Sequence, residues 1–349
     1  MKQSYQVVSI SDQLLITRDC NVINLFWMLW KYGNSLDYLY TKGRIPLQNL
    51  KVIKFLRIVQ LNIKYFRSSP FNIEIPLSNL ENSVIIKLKD RSYKCIDLQN
   101  KKITCVSKEN QVKTDYLYKL RNLKYDETPK IYYIVDNSSY SEEYLNLIPL
   151  KHQLNKWNLQ KYNIYKGLDS ISKGSQNKKV NASDYAKDLT NQISSTLINI
   201  DIDTLKEDKI NKISQKIADK IGDTSIVLNF SHGDAWVGNI MLDDNRIRLI
   251  DWHDFGFRSR YFDHITLIHS IVKIRISNKG WESQGVDELN GELQMLSEAT
   301  SCDVKVLQDY HFVFMLEMII NRLGYYEEIS SDAVNIAFNW VNRFEEILN

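Results

Sequence analysis

His232-Gly-Asp-Ala-Trp-Val-Gly-Asn-Ile-Met-Leu242, followed by Leu249-Ile-Asp-Trp252, is the stretch on which the reading of this chain turns. An apolar run, Ser225-Ile-Val-Leu-Asn-Phe230, leads into it. Ile240 to Asp251 reads as a hairpin with its turn at Asp243-Asp-Asn245. Taken singly, Asp234 and Asn239 are turn formers. Together with Asp251 at the end of a strand they are three oxygen-bearing side chains in one register, and context of that kind confirms a motif.

Working outward, residues 150 onward read as mostly helical. Asp169 to Ala182 reads as an exposed polar loop, and residues 184–198 and 204–221 as helices. Upstream, Ser83 to Lys89, Tyr93 to Leu98 and Lys102 to Lys108 read as three short strands. Asp90-Arg-Ser92 and Gln99-Asn-Lys101 are the turns between them. A helix is expected over 110–123, then strands at Lys130 to Val135 and Glu143 to Leu147. Residues 1–75 read as a helical N-terminal extension. Within it, Val52, Phe55, Leu56, Val59 and Ile63 repeat at helical spacing, and such a stripe is expected to pack against a core.

Composition places the chain among globular proteins, with 44% hydrophobic and 25% charged residues in 349. The net charge of +3 is unevenly spread. Residues 1–70 hold ten bases against three acids, giving +7; from Trp252 onward eight bases meet fifteen acids, giving −7. A basic start suits an anionic surface, while a solvated helix surface explains the same residues. No nucleic-acid partner is expected. Four scattered cysteines without a CxxC pair argue against a zinc module or a disulfide framework. His253, His264, His269 and His311 lack ligand-like spacing. No signal peptide is read, and the apolar run Val22 to Trp30 is too short to span a bilayer. The chain is expected to be cytoplasmic, with peripheral contact to the inner membrane face through residues 1–75 left open.

Phosphoryl transfer from a nucleotide needs a carboxylate for the acceptor hydroxyl, oxygen ligands for magnesium and a cation for the phosphates. A catalytic Asp five residues before a metal-binding Asn, with a second metal-binding Asp downstream, is the spacing that chemistry uses. Asp234, Asn239 and Asp251 reproduce it. The two quoted stretches resemble the signature of the aminoglycoside phosphotransferase and choline kinase superfamily, and the order of expected elements agrees over roughly 83–349. The resemblance implies an α+β, bilobal protein-kinase-like fold: a small antiparallel-sheet N-lobe at 76–147 and a mainly helical C-lobe at 148–349. ATP, or GTP, would sit in the cleft between the lobes with Mg2+.

Carried over by position, the resemblance makes Asp234 the catalytic base and Asn239 and Asp251 the magnesium ligands. His232 and Gly233 shape the loop, and Asp263 braces it. Lys108 would contact the phosphates, and Val106 would line the adenine pocket. Glu143, Tyr144 and Leu145 would meet the adenine edge through their backbone. The chain departs from the pattern in two places. Asp115 stands where a Glu is usual as partner of the lysine. The first turn has no glycine, so Ser92 would cover the phosphates by its hydroxyl or backbone. Asp254-Phe-Gly256 spells a kinase metal triplet but lies past the strand end, so Asp251 is the expected ligand.

Glu317 interrupts the apolar run Phe312 to Ile320. A buried carboxylate needs partners, for which Asn321 and a distant Arg are candidates; facing an acceptor pocket is the alternative. The expected activity is transfer of the γ-phosphoryl group of ATP to a hydroxyl of a small molecule or saccharide. A non-catalytic kinase-like scaffold and a membrane-surface kinase of a lipid-linked or capsular saccharide are the alternatives.

Overall fold

The computed structural model describes residues 3–39, 50–75, 77, 80, 83–88, 92–106, 117–118, 120–121, 126–135, 139–174, 177–197, 204–222, 224–243, 246–276, 284–324, 330, 332 and 334–338. The chain forms two compact units, Met1–Lys156 with Met241–Asp244, and Trp157–Ile240 with Asn245–Asn349. One is built on an antiparallel sheet and the other is mainly helical.

The first unit contains β1 (Gln3–Ser9), β2 (Leu14–Thr17), α1 (Val22–Tyr32), α2 (Leu50–Arg67), β3 (Phe71–Ile75), β4 (Val84–Lys87), β5 (Tyr93–Asp97), β6 (Lys102–Val106), β7 (Ile131–Val135), β8 (Ser139–Glu143) and β9 (Ile148–Pro149). Eight of these strands form one sheet in the order β3-β1-β2-β4-β5-β6-β8-β7. The five strands expected for the small lobe are its consecutive members β4 to β8. The last of them runs over 139–143 rather than 143–147. Most of the helix expected over 110–123 lies outside the described residues.

The expectation of a helical extension at 1–75 accounts for α1 and α2 but not for the strands around them. β1, β2 and β3 join the same sheet, with Ile16 of β2 opposite Val84 of β4. Leu14-Leu-Ile-Thr17 is buried throughout, so it shows no polar alternation to mark it as a strand. The pleat still sorts its side chains. Leu14 and Ile16 share a core with Val8, Leu25 and Leu29 of α1, and Ile58 and Leu61 of α2. Leu15 faces the opposite core with Val7, Ile85 and Cys95. The Tyr65 hydroxyl lies 2.7 Å from the Cys20 carbonyl and 2.9 Å from that of Arg18, tying α2 to the end of β2.

The orientation of α2 overturns a second expectation. Its buried apolar residues are Ile53, Ile58, Leu61 and Tyr65. The stripe Val52, Phe55, Leu56 and Ile63 is exposed instead. This helix is apolar on two faces, and periodicity alone does not say which one meets the sheet.

The second unit contains α3 (Trp157–Gly174), β10 (Lys178–Asn181), α4 (Ala182–Leu197), α5 (Thr204–Ile221), β11 (Ser225–Ser231), the start of β12 (Ile240–Asp243), β13 (Arg246–Leu249), β14 (Gly256–Ser259), α6 (Phe262–Ile276), α7 (Gln284–Thr300) and α8 (Val304–Leu323). β11 is the middle strand of an antiparallel sheet with β10 and β14. The polar segment Asp169 to Ala182 is not a loop: α3 runs to Gly174, β10 follows, and α4 begins at Ala182. Buried Asp169 is paired with Lys173 at 2.6 Å and Arg260 at 3.0 Å. These partners let a polar stretch remain helical, and Arg260 is remote in sequence. Glu292, also buried, accepts from the Trp157 indole N–H and the Tyr165 hydroxyl, both at 2.9 Å, and so joins α7 to α3.

Candidate active site

β11 ends at Ser231, and the loop that follows is fixed from beneath by one carboxylate. Asp263 lies in the first turn of α6, where the helix dipole favours a negative charge. Its Oδ2 accepts from the His232 N–H at 2.7 Å. Its Oδ1 accepts from the Gly233 N–H at 3.0 Å and from the Ser231 hydroxyl at 2.9 Å. Three donors on one buried carboxylate define the backbone of the turn. Gly233 adopts φ +87°. A Cβ there would collide with the Asp254 carbonyl oxygen and stand 2.8 Å from Arg258 Nη1. Only glycine meets both demands.

The His232 ring is fully buried and bridges two segments. Nδ1 accepts from the Asp234 N–H at 3.2 Å. Nε2 lies 2.8 Å from the Ile250 carbonyl, which only accepts, so the proton sits on Nε2. The ring packs edge-on against Trp252 with centroids 4.6 Å apart. His232 thus joins the loop to the segment that carries Asp251.

Asp234 and Asn239 meet directly. Asn239 Nδ2 donates to the Asp234 carboxylate Oδ2 at 3.0 Å and to its backbone carbonyl at 2.9 Å. The Ile250 N–H donates to the Asn239 carbonyl at 3.0 Å, placing Asp251 one residue beyond that bond. Asp251 is itself in the left-handed region, φ 69° and ψ 58°. Non-glycine residues held there are strained, and such strain collects at functional sites. Asp254 lies in the 3-10 turn Trp252–Asp254 that follows. Among the described residues, no group of three His, Cys, Asp or Glu side chains forms a metal cage. An amide and two carboxylates are hard oxygen donors, and a cation held by few protein oxygens plus phosphates is the usual magnesium arrangement. The residues present therefore fit magnesium bound together with a nucleotide.

α8 supports the loop from another side through residues the sequence did not single out for that role. Asn321 Nδ2 donates to the Gly233 carbonyl at 3.1 Å, and Arg258 Nη2 donates to Asn321 Oδ1 at 2.7 Å. Asn321 and a distant Arg were the candidates for Glu317. The partners of Glu317 are instead the Tyr185 hydroxyl at 2.8 Å and the N–H and hydroxyl of Ser259, both at 2.6 Å. Glu317 is buried, and burial raises its pKa against the opposing pull of those bonds and of the Arg258 charge. Its two oxygens hold β14 and α4 to α8 rather than being presented to an acceptor. No sequence spacing links Asn321 to Gly233, because the contact joins the last long helix to a loop nearly ninety residues earlier.

In the first unit, Lys108 and Asp115 lie outside the described residues. Val106 is buried at the end of β6, in the core with Val7, Leu15 and Ile85. Ser92 closes the turn before β5, accepting the Leu88 N–H at its carbonyl at 2.9 Å. Of the backbone groups that Glu143, Tyr144 and Leu145 are expected to offer to an adenine edge, two N–H groups are engaged within the fold. The N–H groups of Glu143 and Tyr144 donate to the Lys130 and Lys101 carbonyls, each at 2.9 Å. The Tyr144 side chain is buried against α1, its hydroxyl donating to the Tyr32 carbonyl.

No family model and no characterised protein matches the sequence. Solved structures do match in fold. The chain is similar to choline kinase LicA from Streptococcus pneumoniae, with TM-score 0.53 and 16% identity over 73% of this chain and 89% of that one. It is similar to choline kinase from Cryptosporidium parvum Iowa II, with TM-score 0.52 and 12% identity over 75% and 87%. A thermostable mutant of aminoglycoside phosphotransferase APH(4)-Ia gives TM-score 0.50 and 13% identity over 74% and 90%. The fold is therefore the bilobal α+β protein-kinase-like one. Those two choline kinases and that aminoglycoside phosphotransferase share this fold with the chain.

Proposed function

We propose that this chain is a phosphotransferase that moves the γ-phosphoryl group of ATP to a hydroxyl of a small molecule or saccharide. One observation carries the reading: Asp234 and Asn239 are hydrogen-bonded in a loop held by Asp263, with Asp251 brought to the same place through the Ile250–Asn239 bond. In the reaction, the acceptor hydroxyl loses its proton to the Asp234 carboxylate while its oxygen bonds to the γ-phosphorus. The bond from that phosphorus to the bridging oxygen of ADP breaks, and ADP leaves. Asn239 and Asp251 would hold magnesium, which when bound neutralises charge on the phosphates. The bond from Asn239 also orients the Asp234 carboxylate. Asp263 and His232 keep the loop in register without touching substrate. Lys108 as the phosphate cation, Asp115 as its partner, Ser92 over the phosphates, and Val106 with Leu145 beside the adenine are proposals from the resemblance. The choline kinase and aminoglycoside phosphotransferase names of the similar structures support a small hydroxylated acceptor.

The test is stabilisation by ATP and by GTP with and without magnesium, on wild type, Asp234→Ala and Asp251→Asn, followed by turnover against a panel of hydroxylated acceptors. Wild type should be stabilised by ATP only with magnesium, and Asp251→Asn should lose that stabilisation. Asp234→Ala should keep it and lose turnover by about a thousandfold. Turnover retained in Asp234→Ala removes its assignment as base. Magnesium-dependent binding with no turnover on any acceptor would favour a non-catalytic role.

A further inference from the structure

The outward faces of α1 and α2 carry large apolar side chains where a solvated surface would carry polar ones. Ile23 and Trp27 on α1 are 68% and 61% exposed. On α2, Leu56 and Phe66 are 60% and 74% exposed, with Phe55 and Ile63 beside them. The two helices make one continuous patch, because Phe26 packs edge-on against both Trp27 and Phe55 at 5.7 and 5.8 Å. Between them runs a groove of about 570 Å3 whose walls include Phe26, Val59, Ile63 and Phe66, with Arg67 also lining it. Contiguous exposed apolar surface of this kind marks an interaction site.

Charge identifies the occupant. Neither α1 nor α2 contains an acidic residue, and Lys31, Lys51 and Arg67 are exposed on them. The single acid between Cys20 and Arg67 is Asp37, which is already engaged by Lys151 at 2.5 Å and His152 at 3.1 Å. A second copy would bring the same positive patch against itself, and like charges oppose that pairing. An apolar helical face with cations and no acids suits the interface of an anionic bilayer, where side chains enter the acyl boundary and Lys and Arg meet headgroups. We propose that α1 and α2 form a docking face for an anionic lipid surface. Among the described residues no helix is long and apolar enough to cross a membrane, so this contact lies on the bilayer and does not span it.

The experiment is flotation of the full chain with vesicles of phosphatidylglycerol and phosphatidylcholine, compared with phosphatidylcholine alone, at low and high salt. Two double variants accompany wild type: Leu56→Ser with Phe66→Ser, and Lys51→Glu with Arg67→Glu. All four positions are exposed, and far-UV circular dichroism verifies the fold of each variant. Wild type should float with the anionic vesicles only and be released by salt. Each double variant should lose affinity by about tenfold or more. Absence of flotation at low salt overturns the proposal, as does equal flotation with both vesicle types that neither variant reduces. Self-association of wild type abolished by the apolar variant would assign the face to a second copy and also overturns it. None of these readouts depends on Asp234 or on turnover, so this proposal and the proposed function fail separately.

Discussion

The loop from Ser231 to Asn239 and the helix pair α1 and α2 are opposites in how they are held. In the loop, successive backbone N–H groups have named acceptors, supplied by a buried Asp and a buried His, and Asn239 donates to Asp234. In the helix pair, one face is locked into the sheet while the other presents Trp27 and Phe66 to solvent. The contact between Asp234 and Asn239 is specified locally, by residue type and spacing, and remote Asp263 and Asn321 complete the loop. An amphipathic helix is specified only up to a rotation about its axis, and the packing partner chooses the face.

The strongest test of this contrast removes the brace. Asp263→Ala leaves the His232 N–H and the Ser231 hydroxyl without their acceptor, and the Gly233 N–H with only the Ser231 oxygen at 3.0 Å. Buried donors left unsatisfied cost about 1–3 kcal/mol each before water relieves them, so a loss of about 3 kcal/mol or more is expected in urea unfolding. Turnover in any assay that detects it should fall with it. A stability change below about 1 kcal/mol would mean that the loop holds its shape by other contacts.

Two substitutions on α2 sharpen the other side. Ile58→Ala, on the face toward β1 and β2, should cost about 2–4 kcal/mol by leaving a cavity. Phe66→Ser, on the outward face, should change stability by no more than about 0.5 kcal/mol. Comparable losses at both sites would show that the outward stripe is buried in solution.

The smallest effect expected is on pH dependence, and it concerns the second unit alone. Burial pushes the His264 imidazole down to about 4 and His311 to about 3. The His264 Nε2–H donates to the Tyr165 carbonyl at 3.2 Å, and His269 and His311 face each other at 3.0 Å. Their folded pKa values lie below the unfolded value near 6.5. The unfolded chain therefore binds protons first as pH falls. Stability from these groups is complete above about 6.5 and is lost as pH drops toward 4 and then 3. Glu317, raised by burial, works in the opposite sense. The midpoint of thermal unfolding should fall between pH 7 and 4, and His264→Gln should flatten part of that slope. An unchanged slope would assign the acid sensitivity elsewhere.

These contrasts also explain which parts were legible. The strands β4 to β6 were readable because each is short, apolar and bounded by a turn, as at Gln99-Asn-Lys101, where Asp97 caps the Asn100 N–H at 2.9 Å. The strand β2 was not, because alternation is hidden when both faces are buried. Asp169 to Ala182 reads as a polar loop although α3 runs to Gly174, because the Arg260 partner of Asp169 is remote in sequence. Asn321 is only a candidate for its neighbour Glu317 on spacing, and a tertiary contact takes it to Gly233.

The sequence by itself determined the spacing of Asp234, Asn239 and Asp251, with the last at the end of a strand. Those relations are short-range or follow from one turn between strands, so residue type and spacing are enough to state them. Only the tertiary structure decided that residues 3–17 complete the sheet, that Glu317 bonds inward to Ser259 and Tyr185, and that the Phe55 and Phe66 side of α2 faces out. Each of those outcomes depends on which surface meets which, and a linear pattern constrains that choice without making it.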